Sequence, residues 1–224
     1  MTHRIKLDLV SDVVCPWCII GYKRLQQAIE AIGAEDRIDL EWQPFELNPG
    51  MPPEGENLPQ HIACKYGSSP QEYQRTQANI VQLGTELEFR FDFFDEMKIV
   101  NTMDAHILLD YAKGFGKQTE LQLRLFNAYF NERKDISDRQ VLQAELQKLD
   151  LDTDAALLQL DSTETRERLQ TTASDWQGRG ISAVPTIVFD RSSALTGAQP
   201  VEVYHQVLTE ILTDETLRHL GATK

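Results

Sequence analysis

Residues 5–22 read IKLDLVSDVVCPWCIIGY, and the change of period inside them decides the fold. Ile5, Leu7 and Leu9 alternate with Lys6 and Asp8, the pattern of a strand. From Pro16 onward Ile20, Leu25, Ala28, Ile29 and Ile32 recur at helical spacing, and Gly33 supplies a stop. IDLEW, residues 38–42, then reads as a second strand. This β-α-β start puts Cys15 and Cys18 at the junction of strand and helix. A redox centre, half a metal site and a pair of buried small residues are all open at this point.

The bulk composition removes some function classes. Among 224 residues, 22 Lys and Arg face 35 Asp and Glu, a formal charge of −13. That balance repels phosphate backbones and anionic membranes, and no basic cluster with interleaved aromatics offsets it. Nucleic acid and membrane are therefore not expected partners. No run is apolar for long enough to span a bilayer. MTHRIKLDLVSD, broken by His3, Arg4, Lys6 and Asp8, lacks the apolar core of a secretory leader, so a cytoplasmic location is expected. Three cysteines, Cys15, Cys18 and Cys64, are too few for a disulfide scaffold. In a reducing compartment a close pair points to catalysis or metal binding.

Residues 58–178 show helix signals and no convincing strand. Ser69, Pro70 and Glu72 make a capping box with proline at the first helical position, and Ser137 with Gln140 repeats that logic. Leu121, Leu125, Phe126, Tyr129 and Phe130 form a broad helical stripe, and Leu142, Leu146 and Leu149 a narrower one. After residue 180, TIVFD and ALTG read as strands and PVEVYHQVLTEIL as a helix. One sheet built from both ends of the chain and split by helices is the expected α/β architecture. Its sheet domain comprises residues 1–57 and 179–224, with a helical insertion at 58–178.

At the junction, Cys15 falls on the N-cap of the helix that Pro16 begins. A thiolate there can accept from the free N–H groups of the first turn and is favoured by the helix dipole. Its pKa is expected to fall from about 8.5 toward roughly 3.5–7.5. Cys18, three residues on, shares that face and is the more buried sulfur. Cys15 is thus the expected attacking thiol and Cys18 the resolving one. Pro16 lacks an N–H that would have had no intrahelical partner, and its fixed φ suits the turn. Trp17 supplies an apolar surface beside the sulfur, for substrate or for packing on the insertion. Asp12, just before the turn, is a candidate for proton transfer.

The stretches SDVVCPWCIIGYKRL, WQPFELNP, KYG, NTMDAH, LFNAYF, SAVPTIVF and LTGAQP run in order along nearly the whole chain. Together they resemble the FrnE-type branch of the DsbA-like thioredoxin-fold oxidoreductases. The resemblance implies a thioredoxin-like fold with a large all-helical insertion, and thiol-disulfide exchange through Cys15 and Cys18. It also implies a cis proline at Pro185, with the backbone of Val184 turned toward Cys15 to pair with an extended substrate. The substrate would be a protein or small-molecule disulfide or thiol. No cofactor beyond the cysteine pair is implied, although glutathione is a candidate co-substrate.

The family's Asn and His fall on Asn101 and His106. Asn101 with Asp104 is a good helix start. His106 reads as a hydrogen-bonded packing residue, with proton transfer toward the redox centre as its functional alternative. Phe45 and Asn48 are candidates to line a substrate groove, with a structural role favoured for both, and Gly197 reads as structural by allowing close backbone approach.

Three rival readings stand beside this one. His61 and Cys64 form an H-x-x-C that could complete a Cys₃His zinc shell with the C-x-x-C, but Cys15 and Cys18 open a helix rather than flank a zinc knuckle, so no metal is expected. A glutathione-dependent isomerase or transferase of related fold would need no resolving Cys18. A noncatalytic peptide-binding or chaperone module would use the groove alone.

Overall fold

The structure, a computed structural model, describes residues 4–221 and the side chains of residues 4–213. His3, used above against a leader, lies outside the described residues. The chain opens with β1 (Ile5–Ser11), α1 (Pro16–Ala31) and β2 (Ile38–Pro44), the β-α-β unit that the period change at Pro16 predicts. A two-residue strand β3 (Glu56–Asn57) leads into α2 (Leu58–Tyr66) and α3 (Pro70–Glu86), then β4 (Lys98–Ile99) and α4 (Met103–Lys113). Helices α5 (Gln118–Phe130), α6 (Arg139–Gln147), α7 (Thr153–Leu160) and α8 (Thr163–Gly178) follow. The chain returns to the sheet with β5 (Thr186–Phe189), β6 (Ser193–Thr196) and α9 (Val201–Gly221).

The sheet runs in the order β2-β1-β5-β6, so the first and last segments of the chain share one ladder. β1 pairs parallel with β2 and antiparallel with β5, with Leu9 opposite both Trp42 and Ile187. Alternation along β1 assigns its faces. Ile5, Leu7 and Leu9 join Leu25 and Ala28 of α1 and Tyr204 and Leu208 of α9 in one buried cluster. Val10 turns the other way, to Phe45, Val188 and Trp176 of α8. The insertion is fastened to the sheet through Trp42, whose ring lies 5.0 Å from Tyr22 and 6.0 Å from Phe126. Gln118 of α5 closes the outer edge of β2: its amide accepts from Trp42 N and donates to Trp42 O, pairing the exposed strand edge as a neighbouring strand would.

Several local expectations are corrected. Helices dominate 58–178, but β4 pairs with β3 in a ladder too short to show alternation. Helix α6 is capped by Asp138, which accepts from Gln140 N, while the hydroxyl and N–H of Ser137 are spent on Asp135. Leu149 lies past the end of α6. Gly197 is required by its φ of +86° rather than by close approach, since a Cβ there would meet only Gln199 Nε2 at an ordinary 3.6 Å; its N–H donates to Pro185 O at 2.7 Å. The Ser69 capping box is present in full.

Candidate active site

Strand β1 ends at Ser11, the Asp12 carbonyl accepts from Cys15 N at 3.1 Å, and that tight turn delivers Cys15 to the N-cap of α1. Pro16 occupies the first turn, where its missing N–H leaves nothing unpaired. Both cysteines are buried, Cys15 with 4 % of its surface exposed and Cys18 with none. One expectation is changed: the Cys15 side chain makes no cap hydrogen bond. As a thiol it donates, and Sγ faces Val184 O at 3.8 Å. The Cys18 thiol is pushed well up by burial and by the neighbouring Cys15 sulfur; the Ser11 hydroxyl and the Asp12 peptide N–H pull in the opposite sense.

The Val184–Pro185 peptide is cis, as the family resemblance implies. Gly21 of α1 makes room for this loop: a Cβ there would sit 2.9 Å from Pro185 Cγ, so only glycine lets helix and proline pack this closely. Trp17 is half-buried against the main core beside the cysteines. Arg24 of α1 is tied to the loop between β6 and α9, its Nη1 donating to Ala198 O at 2.8 Å.

A sequence profile of the DSBA-like thioredoxin domain matches residues 6–209. The chain belongs to that family. It is similar to YwbO of Bacillus subtilis, 26 % identical over 94 % of this chain and 98 % of that one. Among solved structures, one described as a probable DsbA oxidoreductase, SCO1869 of Streptomyces coelicolor, superposes with a TM-score of 0.86 at 25 % identity, covering 92 % of this chain and 89 % of that one. The cytosolic disulfide reductase DsbM of Pseudomonas aeruginosa, solved with GSH, shares the fold at 16 % identity and a TM-score of 0.63, over 93 % and 99 % of the two chains. The fold is also that of a 2-hydroxychromene-2-carboxylate isomerase, at 15 % identity and a TM-score of 0.64, over 98 % and 99 %.

In this DSBA-like chain Asp12 and His106 are brought together beside the turn that carries Cys15. Asp12, 1 % exposed, accepts from Leu47 N through Oδ2 at 2.7 Å. Its Oδ1 lies 3.5 Å from His106 Nε2 and has no hydrogen-bond partner among the described residues. His106 Nε2 carries a hydrogen, because it meets the carbonyl of Phe45 at 3.1 Å. Nearby Glu46 is pushed up by burial, with the Asp12 charge adding to the rise and His106 and Arg166 opposing it. The N-cap of α4 is Thr102, which makes no side-chain cap bond; Asn101, one residue earlier, accepts from Met103 N through Oδ1, so it supports the helix start from outside the cap position expected of it. A cavity of about 240 Å³ beside β2 is lined by His106 and Gln122 but not by the cysteines.

Cys64 is exposed. Both ring nitrogens of His61 are engaged, Nδ1 with Glu56 and Nε2 with Asn48, which leaves neither for a zinc shell with Cys64. The carbonyl of Phe45 and the amide oxygen of Asn48 are likewise occupied, by His106 and by Lys65 with His61.

Three residues near the cysteines escaped sequence reasoning. Gly21 had no signal, since a helix-interior glycine discloses no neighbour. Tyr66, 59 % exposed, is pushed up by partial burial and by the nearby Cys15 charge, a proximity that α2 creates across 51 residues. Ser11 carried a signal: it continues the Leu7, Leu9 alternation onto the face of α1.

Proposed function

We propose that this chain is a protein thiol-disulfide oxidoreductase working through the Cys-Pro-Trp-Cys pair. The Cys15 thiolate attacks a substrate disulfide, forming a mixed disulfide and releasing one substrate thiolate. Cys18 then attacks the Cys15 sulfur, closes the Cys15–Cys18 disulfide and expels the second thiolate. The substrate gains two electrons and the pair loses two; the reverse sequence oxidises a dithiol. The observation that carries the reading is a pair of unequally buried cysteines on one helical turn: Cys15, 4 % exposed, has its Sγ 3.8 Å from the Val184 carbonyl, and Cys18 has no exposed surface.

The Val184 backbone and the Trp17 ring are the proposed substrate contacts, the first pairing with an extended chain as a strand would, beside Pro185. Asp12 and His106 are the proposed proton carriers for the pair. Glutathione is the proposed small thiol that resets it, a reading supported by the same fold in a reductase solved with GSH. A cytoplasmic location fits the sparse cysteines. The sealed second thiol favours disulfide exchange over an isomerase of the same fold, which would need only one activating residue.

Two measurements test the assignment. Limited iodoacetamide on the reduced protein, read by peptide mass spectrometry, should label Cys15 at least about tenfold faster than Cys18. Equal or inverted rates would remove the division of roles. With insulin as substrate, Cys64→Ser should retain wild-type turnover, and the oxidised protein should carry a Cys15–Cys18 bond with Cys64 free. A large loss in the Cys64 variant would return that thiol to the chemistry, and no turnover by the wild type in any redox buffer would favour a binding module.

A further inference from the structure

Ser11 closes β1 with a hydroxyl that is 2 % exposed and has no hydrogen-bond partner among the described residues. A buried donor left unsatisfied is costly, and its position needs a reason. Alternation along β1 supplies the place. Ile5, Leu7 and Leu9 face α1, in the cluster that holds Cys18, and Ser11 is the next residue on that face. Of the neighbouring Asp12 carboxylate, Oδ2 accepts from Leu47 N and Oδ1 lies 3.5 Å from His106 Nε2. Ser11 and the Asp12 peptide N–H are the groups beside Cys18 that favour its anion. In the resting dithiol the Ser11 hydroxyl forms no bond with good geometry; a thiolate at Cys18 would give it a charged acceptor.

We propose that Ser11 is a catalytic residue of the resolving step: its Oγ–H donates to the Cys18 thiolate, together with the Asp12 peptide N–H. The inference rests on the roles given above to Cys15 and Cys18. In that step the Cys18 proton leaves to the proposed carriers Asp12 and His106, the Cys18 thiolate bonds to the Cys15 sulfur, and the bond from Cys15 to the substrate sulfur breaks. The substrate leaves as a thiolate with the electron pair. The hydroxyl lowers the cost of the buried anion just before attack.

Ellman's reagent separates the two half-reactions. Attack by Cys15 on the aromatic disulfide releases one coloured thiolate, and attack by Cys18 on the resulting mixed disulfide releases the second. Stopped-flow absorbance, with Cys64→Ser as the background to remove the third thiol, reads both phases. Ser11→Ala should leave the first phase unchanged. Loss of a hydrogen bond to the anion should raise the Cys18 pKa by about one to two units. Because nucleophilicity partly compensates for a smaller thiolate fraction, the second phase should slow roughly 3- to 10-fold at neutral pH. Its pH profile should move upward by the same one to two units, a shift that a packing role would not produce. Ser11→Thr, which keeps the hydroxyl, should restore the profile.

A second phase of wild-type rate and pH dependence in Ser11→Ala overturns the proposal. So does equal slowing in the Ala and Thr variants, or loss of the wild-type melting transition in Ser11→Ala, since either makes Ser11 structural. A wild-type protein that releases no thiolate from the reagent, or only one equivalent, sinks the redox-pair reading itself and is thereby distinguished from failure of the Ser11 role alone.

Discussion

Cys18→Ser should convert the protein from a turnover catalyst into a trap, with Cys15-linked substrate accumulating on nonreducing gels, while Cys15→Ser should show neither exchange nor adducts. Resolution by Cys18 is an attack from one turn of the same helix, and well-oriented intramolecular reactions reach effective molarities of about 10⁵ M or more. An external thiol at millimolar concentration replaces that neighbour poorly, so insulin turnover in Cys18→Ser should fall by at least about 100-fold. The wild type has its own pH signature. Burial holds the Cys18 thiol above its ordinary range, so its thiolate fraction falls as the pH is lowered through the neutral region. Mixed disulfides in the wild type should therefore live longer at lower pH and vanish toward alkaline pH. Adducts mapped to Cys64 instead of Cys15, or full turnover without Cys18, would end the two-thiol account.

The fold was legible where a period changed or a cap was unambiguous. The switch from alternation to helical spacing at Pro16 located β1, α1 and the cysteines together, and the Ser69 box located α3. Where two cap formers stand side by side the pattern could not choose: Ser137 and Asp138 both qualify, and the choice fell to Asp135, which takes both donors of Ser137. The β3–β4 ladder has two residues on each side, below the length at which alternation carries information.

The candidate site divides in the same way. Cys15 and Cys18 were readable because one turn of helix fixes their relation. The companions of that pair come from distant segments. Tyr66 arrives on α2, Val184 through the loop before β5, and the Asp12–His106 pairing through α4. No local pattern reports such meetings. Asp12 stands out in the sequence for its charge, but only Oδ2 is taken, by Leu47 N; Oδ1 lies 3.5 Å from His106 Nε2, and the group Asp12 turns to Cys18 is its peptide N–H. The uncharged Ser11, a residue with many bland uses at a strand end, is the side chain that strand alternation aims at the buried sulfur.

The stripe of Leu142 and Leu146 on α6 concealed a carboxylate of large energetic weight. Glu145 shares that buried face and is 0 % exposed. Burial alone would push it up, but hydrogen bonds from Lys148, Lys134 and Arg124 outweigh that cost and hold it at about 2. The contacts are short, 2.8 Å from Lys148, 2.9 Å from Lys134 and 2.7 Å from Arg124. A folded pKa below the unfolded one means that the unfolded chain binds the proton more tightly. The associated stability is therefore present above the unfolded value of 4.5 and is lost as the pH falls from there to about 2. The span corresponds to about 3 kcal/mol, an upper figure because the three cations are themselves partly in water. Urea unfolding at a series of pH values should show a wild-type loss of that order between about pH 5 and pH 2 from this group. Glu145→Gln keeps the shape but not the charge, so it should be less stable than wild type near neutral pH, and the gap should close as the pH falls toward 2. Parallel stability curves for the two proteins across that window would mean that the cluster contributes no net electrostatic stability, and that its cations do no more than solvate a carboxylate which packing alone has buried.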